Sequence, residues 1–166
     1  MEKPPESVAI LVDVQNIYYT TRQIHGRHFD YNAFWAEVTA NRRVVAAIAY
    51  AVDRGDEKQR QFQNILRAIG FEVKLKPFIQ RSDGSAKGDW DVGIALDGIE
   101  LAARVDRVVL ASGDGDFELL VQRINERFGV PVTVYGVQRL TAESLMHVAS
   151  PFAPIDGALL LTPKVR

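Results

Sequence analysis

Residues Ser7–Asp13 read SVAILVD, an uncharged apolar run that closes on an acid. Four more runs of the same kind follow: Arg43–Val52 (RVVAAIAYAV), Phe71–Lys76 (FEVKLK), Arg107–Ala111 (RVVLA) and Val130–Tyr135 (VPVTVY). FEVKLK alternates with period two, as a half-exposed strand does; the others read as buried strands. Helical patterns lie between them. Tyr31–Ala40 sets Phe34, Trp35 and Val38 on one face. Asp56–Ile69 places Phe62, Ile65, Leu66 and Ile69 at helical spacing and stops at Gly70. Further helices are expected over Asp91–Val105, Asp116–Phe128 and Thr141–Val148. Phe152–Ile155 is expected as a last edge strand, because Pro151 and Pro154 exclude a central position. Strands separated by helices imply βαβ units, right-handed crossovers and helices on both faces of a mostly parallel sheet. The fold class is therefore α/β.

The chain has 166 residues, which points to one domain over residues 1–166. Its 47% hydrophobic and 25% charged residues exclude disordered and low-complexity classes. Twenty Lys and Arg against 21 Asp and Glu leave a net charge of −1, so no basic excess advertises nucleic acid. Cysteine is absent, which removes disulfides, thiolate metal sites and cysteine nucleophiles. The three histidines, His25, His28 and His147, do not make a histidine-rich site. Any metal here is a hard cation held by oxygen. No apolar run approaches the roughly 20 residues of a spanning helix, and no export signal is read. A cytoplasmic location without membrane contact is the expectation. Met1–Glu6 and Leu161–Arg166 read as frayed ends, and Pro77–Asp89 (PFIQRSDGSAKGD) as a loop beside a site.

Ligands of open α/β sheets sit outside the carboxyl ends of the strands. The first strand ends at Asp13-Val14-Gln15-Asn16, and the fourth at Ser112-Gly113-Asp114-Gly115-Asp116. Glycines on either side of Asp114 allow a tight turn. Asp91 begins the helix after the loop. Close carboxylate pairs at about 4 Å cost roughly 1 to 4 kcal/mol each, and a divalent cation reverses that sign. Mg²⁺ suits such a site, which can activate water against a phosphodiester. Asn16 stands where its amide can orient a carboxylate. Structural roles account for the same residues singly. Asp13 and Asp116 suit helix caps, and Asp89 and Asp91 suit a helix dipole. Asp97 lies about 240° around a helix from Asp91 and reads as solvated. Lys87 reads as an exposed loop residue. Tyr18 and Tyr19 suit either base stacking or packing. The dinucleotide fingerprint is incomplete, since position 118 is Glu, and no Walker A sequence or nucleophile elbow occurs.

Three blocks together, VAILVDVQNIYYT (8–20), KGDWDVGIALD (87–97) and VVLASGDGDFELLV (108–121), resemble the NYN domain, the LabA-like branch of the PIN-like nuclease superfamily. The resemblance implies a three-layer, Rossmann-like α/β/α sandwich and Mg²⁺- or Mn²⁺-dependent cleavage of RNA. By motif match, Asp13, Asp91, Asp114 and Asp116 take the metal and catalytic positions. Asn16 and Lys87 take substrate-binding positions, and Asp97 an additional acidic one. Trp90 stands where the family usually has a small aliphatic residue, and Ser150 where an acid is expected. RNA is the implied partner, and a homo-oligomer is compatible. Lys74, Lys76, Arg81 and Lys87 are candidates for a basic rim. Two alternatives remain at this level. One is a non-catalytic RNA-binding or regulatory module. The other is a phosphatase of the haloacid dehalogenase type, since SGDGDF resembles that group's late acidic motif and Asp13 could be its nucleophile. That chemistry wants a second acid two residues on, and position 15 is Gln.

Overall fold

A computed structural model describes residues 4–77, 79–80, 86–87 and 89–162; of residues 77, 79–80 and 86–87 only the backbone is described. The elements run β1 (Glu6–Asp13), α1 (Val14–His25), α2 (Tyr31–Thr39), β2 (Arg42–Asp53), α3 (Glu57–Ile69) and β3 (Glu72–Pro77). Two-residue strands β4 (Ile79–Gln80) and β5 (Ala86–Lys87) follow, then α4 (Asp91–Ala102) and β6 (Arg107–Ala111). The chain continues through α5 (Glu118–Phe128), β7 (Val132–Gly136), α6 (Glu143–Val148) and β8 (Phe152–Pro154).

Among the described residues, six strands form one sheet in the order β3-β2-β1-β6-β7-β8. Every neighbouring pair in it is parallel. The apolar runs explain this arrangement. β1 is central, and its alternate side chains feed two separate cores. Val8, Ile10 and Val12 pack with Ile17, Phe34 and Leu66 of α1, α2 and α3. Ala9 and Leu11 pack with Ile94, Ile124 and Leu145 of α4, α5 and α6. A strand buried on both faces has no polar face to show, hence the unbroken run SVAILV. The result is a three-layer α/β/α sandwich. β8 closes one edge, in the place its two prolines allow.

Several expectations shift at their boundaries. The segment after Asp13, where the sequence reading places no helix, is the twelve-residue helix α1; Val14, Ile17 and Ile24 form its inner face, and Gly26 closes it in the left-handed conformation at φ 62°. Helix α4 stops at Ala102 rather than Val105. Before α5, Gly115–Phe117 form a 3₁₀ turn. The loop Pro77–Asp89 carries an antiparallel β4–β5 pairing, Ile79 with Lys87 and Gln80 with Ala86. Glu6 is no frayed end. Its Oε1 accepts from Arg42 at 3.0 Å and Arg107 at 2.8 Å, tying β1 to both neighbours at their amino ends. Leu161 is also held, its carbonyl accepting from Arg27 at 2.8 Å. Among the described residues, no helix is long and apolar enough to cross a membrane.

Candidate metal centre

The strand order fixes where a ligand can sit. From β1 the chain runs outward through β2 to β3, then crosses back to lay β6 on the other side of β1. The two crossovers diverge between β1 and β6, and their carboxyl ends splay apart there. Asp13 ends β1, and Ser112-Gly113-Asp114 leaves β6 directly beside it.

Hydrogen bonds lock the two strand ends together. Asp13 Oδ2 accepts from Ser112 Oγ at 3.0 Å, and Ser112 Oγ in turn accepts from Asp114 N at 3.2 Å. Asn16 Oδ1 accepts from Gly113 N at 2.9 Å. Asp114 Oδ1 accepts from Asp116 N at 2.9 Å. The cap of the 3₁₀ turn is thus Asp114, where the sequence reading puts a cap at Asp116. Asp13 both faces the site and caps α1, accepting from Asn16 N at 3.4 Å. Its two readings are compatible.

A carboxylate oxygen from each of Asp91, Asp114 and Asp116 lies within 4.8 Å of the others. Asp13 stands outside that trio, but with Asp89, Asp91 and Asp114 it lines one pocket of about 230 Å³. Gln15, Asn16, Tyr19 and Thr20 complete the wall. Among the described residues, no cationic side chain lines it.

The crowding of acids shows in their proton affinity. Burial first, then the charges of Asp114, Asp89 and Asp13, push the Asp91 carboxyl up to about 7, and a hydrogen bond to Asp114 favours its protonated form. Burial also raises Asp13, against the lowering effect of its bonds from Ser112 and Asn16. Without a cation, the crowded acids therefore favour a proton on Asp91, toward Asp114, as pH falls through about 7. A group whose folded-state affinity for protons is raised stabilises the fold at low pH and loses that contribution as pH rises from about 4 through 7. In EDTA, Asp91→Asn should remove this component of the melting curve. At pH 8 we expect the variant to melt about 2–4 °C above the parent, equivalent to about 1 kcal/mol once solvent screening is allowed for. Parallel melting-temperature profiles from pH 5 to 8 would show that Asp91 is not strained by its neighbours.

The other expected residues divide. Asp97 does not join the acids: its Oδ2 accepts from Tyr50 Oη at 2.7 Å and Lys74 Nζ at 2.8 Å. Lys74 is consumed by that ion pair, whose members are mostly covered. Lys76 donates to the Asp89 carbonyl at 2.8 Å and lies 4.8 Å from the centroid of the Trp90 ring. Lys74 and Lys76 are thus the two basic-rim candidates whose side-chain partners the described residues show. Each has a local partner, and Lys76 braces the entrance to α4. Trp90 is pinned by Nε1 donating to Ala51 O at 2.9 Å. Lys87 pairs by its backbone with Ile79, while its side chain, like Arg81, lies outside the described residues. Asn16 binds the backbone of Gly113 through its oxygen, so its Nδ2 is the donor left for the pocket. Two contributors were missed as site residues. Asp89 was read only as a helix-dipole charge. Ser112 links Asp13 to Asp114, and its one signal was its place at the end of an apolar strand.

A structural reason for Gly113 also differs from the expected one. No positive φ occurs at Gly113 or Gly115. Instead, a Cβ on Gly113 would lie 2.9 Å from Thr141 Oγ1 and 3.0 Å from the Leu140 carbonyl oxygen. The chain between β7 and α6 presses directly on the site loop.

These acids at the ends of neighbouring parallel strands match a known family. The model of the NYN domain matches residues 7–156. The chain belongs to the NYN domain family. NYN domains fall within the PIN-like nuclease superfamily, and the acids here form a cluster that could hold a metal ion. This NYN domain is 27% identical over 161 residues to the low amplitude and bright protein LabA of Synechococcus elongatus, covering 92% of this chain and 85% of LabA. It also matches the crystal structure of a protein of unknown function, VPA0982, from Vibrio parahaemolyticus. That likeness has a TM-score of 0.92 at 59% identity, over 97% of this chain and 99% of the other.

Proposed function

We propose that this NYN domain is a ribonuclease that hydrolyses RNA phosphodiester bonds with Mg²⁺ or Mn²⁺. The observation that carries the reading is the convergence of Asp91, Asp114 and Asp116 within 4.8 Å, with Asp13 on the adjoining wall. The donor set fits a hard divalent cation. It is all carboxylate oxygen, the chain has no cysteine, and no histidine lines the pocket among the described residues. The proton favoured at Asp91 marks a place where positive charge is wanted.

Asp91, Asp114 and Asp116 would hold the ion. When bound, a divalent cation lowers the pKa of water and stabilises charge on a departing oxygen. The chain supplies the rest. The Ser112 hydroxyl and the backbone N–H of Asn16 hold Asp13 in one orientation, so it would add negative charge without moving. Asn16 Oδ1 anchors Gly113 and thereby the backbone that carries Asp114. With its carboxyl pushed up to about 7, Asp91 would release its proton to an incoming cation near neutral pH without needing alkaline conditions. Asp13 lacks the partner a phosphoryl-transfer nucleophile of that type wants, because position 15, two residues on, is Gln. This weighs against the haloacid dehalogenase alternative.

The test is incubation of the full chain with single-stranded and structured RNAs in Mg²⁺, Mn²⁺ or EDTA. We expect cleavage with either cation and none in EDTA. Thermal stabilisation by Mn²⁺ without cleavage of any RNA would favour the non-catalytic RNA-binding reading.

A further inference from the structure

A second cavity, of about 960 Å³, adjoins the acid pocket, and Gln15 and Tyr19 line both. Gln15, Tyr18, Tyr19 and Arg22 follow the spacing i, i+3, i+4, i+7, so they form one stripe along α1. That stripe runs about 10 Å from the acid edge toward His28. Its aromatic members are not core residues: Tyr18 is 41% exposed and Tyr19 49%. The Tyr18 ring lies nearly parallel to that of His28, with centroids 6.0 Å apart. Arg22 donates to Tyr18 Oη at 3.0 Å. Lys58 stands on the α3 side of the cavity, and its ammonium group has no hydrogen-bond or ion-pair partner among the described residues.

The two cavities complement each other in charge. The acid pocket has no described cation on its wall, yet an RNA strand must bring phosphates to it. Arg22, Arg54 and Lys58 are cations on the wall of the adjoining cavity, beside exposed aromatic faces; its two acids have local partners, Asp56 capping α3 through Gln59 N and Glu57 pairing with Arg60. Aromatic faces with flanking cations are what unpaired bases on a phosphodiester backbone need. We propose that this cavity binds the unstacked bases of single-stranded RNA next to the bond presented to the acids, with Tyr18 and Tyr19 as stacking surfaces and Arg22 and Lys58 facing phosphate. That the strand is RNA rests on the function proposed above; the cavity, its aromatic stripe and its continuity with the acid pocket are independent of cleavage.

The experiment measures binding of fluorescein-labelled twelve-nucleotide oligouridine, and of an RNA duplex of similar length, by anisotropy in EDTA at low salt. Tyr19→Ala and Tyr18→Ala should each weaken single-strand binding about tenfold. Tyr19→Phe and Tyr18→Phe should stay within about twofold of the parent, since stacking needs the ring and not the hydroxyl. Lys58→Ala should lower affinity and flatten its salt dependence. Duplex should bind more weakly than single strand and respond little to the tyrosine variants. Melting temperatures within about 2 °C of the parent exclude misfolding as the cause. Single-strand binding unchanged in both alanine variants, or a preference for duplex, overturns the proposal. Cleavage in Mn²⁺ with unchanged binding by the alanine variants sinks the base-binding cavity and leaves the ribonuclease standing. Weakened binding by those variants in a protein that cleaves nothing does the reverse.

Discussion

Asp114→Asn is expected to lower RNA cleavage in Mn²⁺ by about a thousandfold, the scale seen when a group that stabilises developing charge is removed from an enzyme. The substitution is nearly isosteric. Asn Oδ1 can still accept from Asp116 N, so the 3₁₀ turn persists. What changes is charge, at a residue that, like Asp91, belongs both to the trio of acids and to the wall shared with Asp13. Two further readouts separate loss of a metal ligand from loss of fold. Mn²⁺ at a hundred times its dissociation constant should stabilise the parent by about 2.7 kcal/mol, which is several degrees of melting temperature. The variant should show little of that shift. In EDTA it should melt no lower than the parent, because removing one like charge relieves Asp91. Retained cleavage together with a full Mn²⁺ shift would move the metal site elsewhere.

Gly113→Ala should damage the protein through packing rather than charge. The new methyl would meet Thr141 Oγ1 at 2.9 Å and the Leu140 carbonyl at 3.0 Å. The threonine hydroxyl is itself committed to Val137 O at 2.8 Å, and a backbone carbonyl cannot rotate away. Overpacking of this kind costs about 1–3 kcal/mol, or roughly 2–12 °C in a chain of this length. The displaced loop carries Asp114, and its Gly113 N–H is the donor to Asn16. Cleavage should therefore fall at least tenfold even well below the melting temperature, where the protein is folded. A variant with parental melting temperature and activity would show that the segment between β7 and α6 gives way freely.

The legible and illegible parts of this molecule differ in the kind of information they need. β1 was readable because Val8–Val12 are buried on both faces, so no polar position interrupts the run. Asp13 and Asp114 were readable because an acid at the end of such a run lands on the ligand edge whatever the loops do. Asp91 was readable at a helix start after the loop and joins the strand-end acids as a cation-site candidate; the resemblance then gives it a metal position. Helix α1 carries an inner stripe of Val14, Ile17 and Ile24, but the exposed Tyr18 and Tyr19 beside it blur the apolar pattern. Side-chain partners set by tertiary structure were out of reach. Lys74 looked free until the fold brought Asp97 to it, and Lys76 until it found the Asp89 carbonyl and the Trp90 ring. Ser112 looked inert because its role depends on an acid 99 residues earlier.

That last separation has a consequence for how the protein is born. Asp13 emerges early in synthesis, but its companions on β6 follow only after β2, β3 and α4 have been made. The ladder of β1 with β6 must then close over this long sequence distance, a slow kind of contact to form. A ribosome-bound chain that ends before Arg107 holds half of the acids and none of the clamp through Ser112 and Gly113. The cluster of acids is thus assembled only on completion of folding, and a truncated copy has no such pocket to offer a cation.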